Sequence, residues 1–376
     1  MNSYTLAAQN MTGQNKSSFK PTKIWSGLSD HVRCAFFIVM LTIIWAAAAL
    51  IISEIHPDAK TGSKNAAGVY FNHIVKNNTI ILYIGGILYL FKLLRSLKGV
   101  SLSERLKTVF FQDRLMLPKF FANLAVAIGT CALFTFAYST IKTRIPEFAP
   151  YTWDVTFMKW DRALFLGHDP WTVFAFLYEI PTAIFAMDLI YDLWAPLFIG
   201  TWTVCFLVTK PSAAIRFRFP LAVLLAWFVG GNLAAIGLSS AGPCYYGLIT
   251  GMADPYAAQM AILSDFSTDG FMRSTTYQAM LWDVYESPGF GFGGISAMPS
   301  MHCTTSFLFL LMAWKHKVLR IAAIAFFILI LISSVVLAWH YLVDGLIGIP
   351  IAATAWWIAG RILRAITHER TEHAQA

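Results

Sequence analysis

The sequence predicts an all-α, polytopic membrane bundle of about eight transmembrane helices. Three observations carry this expectation. Only 13% of the 376 residues are charged, against about 25% in water-soluble domains, and the mean hydropathy is +0.60. Apolar runs of near-membrane length recur along the whole chain and leave no room for a separate soluble domain. Aromatic residues reach 15%, with 13 Trp, which suits two belts of amphipathic rings at the membrane–water interfaces.

A hydrocarbon core about 30 Å thick takes roughly 20 apolar residues per helix, with roughly 17 as the lower end. Runs that meet or approach this length lie near 34–52, 79–94, 120–140, 191–209, 219–238, 299–314, 320–339 and 344–360. The second is interrupted by Gly85-Gly86. The sixth is short and counts only if Pro299-Ser300-Met301-His302 belongs to it. The polar start, Met1 to about Lys23, precedes an apolar run with no small-residue cleavage site, which favours a retained first helix over a cleaved signal peptide.

Residues 148–190 are aromatic yet carry Asp154, Asp161, Asp169, Glu179 and Asp188, with Pro170 and Pro181. Charges so dense are costly in hydrocarbon, so interfacial or re-entrant helices are expected there. Residues 239–298, rich in Gly, Ser, Asp and Tyr, form the one substantial polar loop. Segment lengths suit helices, and nothing alternates over enough short stretches to suggest a β-barrel.

The formal charge of +8 invites a nucleic-acid partner, but the Lys and Arg lie in short clusters between apolar runs and form no basic stripe. With the N-terminus cytoplasmic, every cytoplasmic stretch carries at least three of them, as the positive-inside rule asks. Both termini are then cytoplasmic, and the 239–298 loop faces the opposite side. The five Cys show no CxxC pair or zinc spacing, so no disulfide framework is expected.

On that opposite side two stretches hold unusual ionisable residues. One runs from a Gly-rich approach into Pro299-Ser300-Met301-His302. The other is Ser333-Ser334, then Trp339-His340-Tyr341, then Asp344. Phosphate transfer without a metal needs a nucleophile able to carry the phosphoryl group, and neutral imidazole can. It also needs an acid for the leaving alkoxide, and a carboxylate to hold the nucleophilic ring in one tautomer. His340 and Asp344 share a face if a helix continues through both, and His302 on a neighbouring helix can serve as the acid. Ser300 and the Gly-rich approach offer hydroxyl and N–H donors at a helix N-terminus, where anions are favoured. Each pattern alone is weak. Their joint placement on one side of adjacent helices carries the reading.

These two stretches resemble the second and third signature motifs of the type 2 phosphatidic acid phosphatase (PAP2) superfamily. Ala-Met-Pro-Ser-Met-His with His-Tyr-x-x-Asp is similar to the branch that contains inositol phosphorylceramide synthase. Asp161-Arg162 through Gly167-His168-Asp169-Pro170 is also similar to that branch, as, more loosely, is Ser240 through Tyr246. The resemblance covers roughly 150 to 350. It implies a six-helix core, with His340 as nucleophile, Asp344 as its orienting partner and His302 as general acid, and it implies no metal or cofactor. The domain division then expected is 1–119, a polar N-terminus with two added helices, and 120–376, the catalytic membrane domain.

Two departures stand out. Where the family's phosphatases carry an Arg in the third motif, this chain has Ser334, and the Lys and Arg-Pro of the first motif lack a counterpart. Arg273 is a candidate to replace these cations, as are Lys142 and Arg144; Ser300 and Tyr341 complete the candidate phosphate ligands. The departures favour transfer to a lipid or alcohol acceptor, with a lipid donor, over hydrolysis of phosphatidic acid or a polyprenyl diphosphate. A proton-coupled transporter, with the same residues as a relay, is the alternative of another class. It expects inverted repeats, and none is visible. Asp161, Asp169, Asp188 and Asp192 offer a carboxylate metal site only weakly, since the CDP-alcohol phosphotransferase signature is absent upstream. The features suggest a bacterial inner membrane, with the active site on the periplasmic, or lumenal, face.

Overall fold

The computed structural model describes residues 28–55, 116–267, 272–286 and 293–367, and among these helix is the only regular structure. Helix α1 is Asp30–Ile55 and α2 is Met116–Lys142. A shorter helix, α3 (Asp154–Leu164), precedes α4 (Pro181–Leu207) and α5 (Ala213–Gly237). Two helices on the polar side follow, α6 (Ala257–Ser267) and α7 (Arg273–Glu286). The chain returns through α8 (Met301–Ala313), α9 (Lys317–Val336) and α10 (Leu342–Ile366). Six of these are long and apolar enough to cross a membrane, and α8 is a shorter apolar helix. The protein is an all-α polytopic membrane bundle.

The expected helix at 79–94 lies outside the described residues. Two other expectations change. The run expected from 191 begins ten residues earlier, at Pro181, whose fixed φ suits the first helical turn. At 1.5 Å per residue α4 is about 40 Å long, so its first turns extend beyond a hydrocarbon core of about 30 Å. Of the stretch 148–190, residues 181–190 therefore belong to a helix long enough to span, and Asp188 lies near its start. The second change concerns the 239–298 loop, which is largely helical through α6 and α7.

The core is built on aromatic side chains. Phe134 of α2 stacks on Trp202 of α4 at 5.6 Å and meets Trp227 of α5 edge-on at 5.0 Å. Trp194 and Phe198 stack on each other at 5.4 Å and both stack on Trp227. Residues Trp227–Ala234 form a π-helical stretch, a wider turn of the kind found at functional sites, and it brings Trp227 and Gly231 to one cavity wall. Helices α8 and α10 pack at Gly348, where a Cβ would meet Thr304 Oγ1 at 2.5 Å. This close approach sets the two histidine-bearing segments side by side.

Candidate active site

His340 sits in the turn between α9 and α10. As α9 ends, the N–H of Leu337 reaches Ser333 O at 2.9 Å and that of Ala338 reaches Val335 O at 3.0 Å. Ala338 then takes a φ of 58°, a left-handed conformation uncommon outside glycine. The reversal lets both Trp339 and His340 donate their N–H groups to Ser334 O, at 2.9 and 3.1 Å. Ser334 is fully buried and its hydroxyl donates to Leu331 O, so this position shapes the turn and does not face the cavity.

His340 precedes α10 instead of lying within it, so its pairing with Asp344 does not come from a shared helix face. It comes from the helix N-terminus. Asp344 Oδ2 accepts the Tyr341 N–H at 3.0 Å, closing a capping box, and stands 3.2 Å from His340 Nδ1. Both side chains are buried. Burial first, and the Lys142 charge second, hold the His340 pKa down to about 3, with a hydrogen bond from the ring to the Ala297 backbone carbonyl opposing them.

Two carboxylates on α3, seven residues apart and so on one helix face, grip this turn from below. Asp161 accepts the N–H groups of Leu342 and Val343, the first residues of α10, at 2.7 and 2.9 Å. Asp154 accepts the N–H groups of Ala241 and Gly242 and, at 2.9 Å, the Tyr341 hydroxyl. Burial raises the Asp161 carboxyl to about 7, opposed by those two backbone donors. Gly242 has a φ of +103°, and a Cβ there would stand 2.8 Å from Trp339 O. From the other side Gln259 of α6 donates to the carbonyls of Val335 and Val336, and Gln278 of α7 donates to that of Leu337.

His302 lies in the first turn of α8, with its ring 4.3 Å from Tyr191 and 4.2 Å from Trp194 of α4. His302, His340 and Lys142 line one cavity of about 420 Å³. Its remaining wall is largely apolar and runs between α2, α4 and α5 past Phe134, Trp194, Phe198 and Trp227.

Of the expected site residues, His302 and His340 share this cavity, with Asp344 directly behind His340. Ser300, Arg273 and Tyr341 have other partners and are not among the residues that line it. Ser300 is the N-cap of α8 and accepts the Cys303 N–H. Arg273 is exposed and pairs with Asp192. Tyr341 turns to Asp154. Asp154, Tyr191 and Trp194 were not singled out from the sequence; the only signal was the seven-residue spacing of Asp154 and Asp161.

Among the described residues no three His, Cys, Asp or Glu side chains gather to hold a metal ion. Asp161 and Asp188 accept backbone N–H groups, and Asp169 and Asp192 pair with Arg162 and Arg273. All five cysteines are free thiols.

Fold and cavity together define a helical membrane protein that gathers two histidines and one lysine in a recessed, aromatic-walled chamber. The chain belongs to the PAP2 superfamily, whose family model matches residues 155–358, more than half of the sequence. It is thereby a lipid enzyme of the phosphatase or phosphotransferase type. Neither a curated protein nor a solved structure matches the chain.

Proposed function

We propose that this protein is a lipid phosphotransferase that moves a phosphoryl group or phospho-headgroup from a lipid donor to a lipid or alcohol acceptor, in the manner of inositol phosphorylceramide synthase. The observation that carries the reading is the His340–Asp344 pair at the wall of a largely apolar cavity that His302 also lines.

With its proton on Nδ1 and donated to Asp344, His340 keeps the Nε2 lone pair for attack on phosphorus. As the P–N bond forms, the P–O bond to the leaving lipid alkoxide breaks, and His302 supplies the proton that alkoxide needs. In the second half His302 takes the proton from the acceptor hydroxyl, whose oxygen attacks phosphorus. The P–N bond then breaks and His340 is restored. The proposed orientation follows the basic residues: termini cytoplasmic, cavity toward the periplasm or lumen, in a bacterial inner membrane.

The test uses purified protein in detergent with a radiolabelled phospholipid donor, with and without ceramide or diacylglycerol. A labelled lipid product that needs the acceptor and is lost in His340→Ala supports transfer. Free phosphate that depends equally on His340 makes the protein a hydrolase. Indifference of both products to His340 removes the site assignment.

A further inference from the structure

Lys142, at the end of α2, is the one lysine or arginine on the cavity wall among the described residues. The arginines nearby are occupied. Arg273 pairs with Asp192, Arg162 is held by both oxygens of Asp169, and Arg144 donates to Thr140 O and Ser53 Oγ. Lys142 forms no ion pair with any described carboxylate, and its ammonium lies 5.9 Å from the Tyr138 ring centroid. It is close enough to both His302 and His340 for its charge to act on each. A half-buried ammonium without a counter-ion, among aromatic walls, is unfavourable until an anion joins it. Lys142 also lies outside the family-matched segment, which starts at 155.

We infer that Lys142 binds the phosphoryl oxygens of the substrate, and that its single charge makes the cavity select a phosphodiester monoanion over a phosphomonoester dianion. This rests on the phosphotransfer reading above and narrows its donor class. One ammonium neutralises one negative charge. A second charge on the same phosphorus would be buried with no permanent partner, because Asp192, the carboxylate on the wall, already occupies Arg273. A lipid whose headgroup is joined through a diester meets this condition, and its headgroup would travel with the phosphorus to the acceptor.

The experiment measures calorimetric binding to the full-length protein in nonionic detergent. Two probes with the same chain, neither of which can be transferred, isolate the charge at one neutral pH: monomethyl 1,1-difluorododecylphosphonate, a monoanion, and 1,1-difluorododecylphosphonate, whose fluorines make it a dianion there. Wild type is expected to bind the monoanion about tenfold or more tightly than the dianion. Lys142→Met should weaken monoanion binding by about tenfold or more, and Lys142→Arg should restore it to within about threefold, which separates loss of the charge from misfolding. Unaltered binding in Lys142→Met overturns the assignment of Lys142, and tighter binding of the dianion overturns the selectivity. Since neither probe needs turnover, these results stand apart from whether His340-dependent transfer is found.

Discussion

The Nδ1 edge of His340 is committed to Asp344, and its surroundings keep the ring neutral well below the ordinary pKa of 6.5. In the proposed role of nucleophile, a ring with its pKa near 3 stays in the reactive form between about pH 7 and about pH 5, so phosphoenzyme formation in a single turnover should not fall over that range. Quenched-flow trapping of the labelled protein checks this, and an acid limb centred near the ordinary histidine value contradicts it. The two histidines and Asp344 were legible in the sequence because each lies in a short polar stretch that interrupts an apolar run. The phosphate ligands were less so. Nothing in the local sequence distinguishes Arg273, committed to Asp192, from Lys142, which has no carboxylate partner among the described residues, because the difference lies in which carboxylates the fold brings near them.

At the scale of elements, α3 acts as a brace under the catalytic turn. Its Asp161 takes two N–H groups that the start of α10 leaves without helical partners, and negative charge is favourable at that end of a helix. Asp188 does the same for α7, accepting the N–H groups of Arg273 and Ser274. Asp161→Ala leaves those two donors unpaired and should cost about 1–3 kcal/mol of stability together with a fall in kcat, while Asp161→Asn, which keeps an acceptor oxygen, should lose less of both. Thermal unfolding in detergent and steady-state rates check the pair; equal behaviour of the two variants would show that the acceptor does not matter. The sequence marked 148–190 as interfacial from its charge density, and the structure forms there the short helix α3 and the first turns of α4. It did not mark the start of α4 at Pro181, because Asp188 looked too costly for a spanning helix. The cost is avoided where helix length carries Asp188 beyond the hydrocarbon and backbone donors surround it.

For the whole molecule, hydropathy gave the architecture, since every spanning helix must satisfy its backbone internally and therefore shows as a long apolar run. It did not give the helical cap of α6 and α7, whose short polar helices have no such signature. The proposed orientation places the α4–α5 and α8–α9 connections on one side of the membrane and α7 on the other. Cysteines introduced at the exposed residues Ser212 and Lys315 should react with a membrane-impermeant thiol reagent from the cytoplasmic side alone, and one at exposed Asp283 from the opposite side alone. Labelling of the first two from the opposite side and of the third from the cytoplasmic side would reverse the topology, and labelling of all three from one side would overturn it. The aromatic wall between α2, α4 and α5 bears on timing. A phosphorylated histidine in an open site meets bulk water at far higher concentration than any lipid alcohol, so it hydrolyses before a lipid arrives. In the proposed mechanism, walls of Phe134, Trp194, Phe198 and Trp227 would invert that ratio by disfavouring water and admitting hydrocarbon, so that the arrival of the next lipid would set the lifetime of the intermediate.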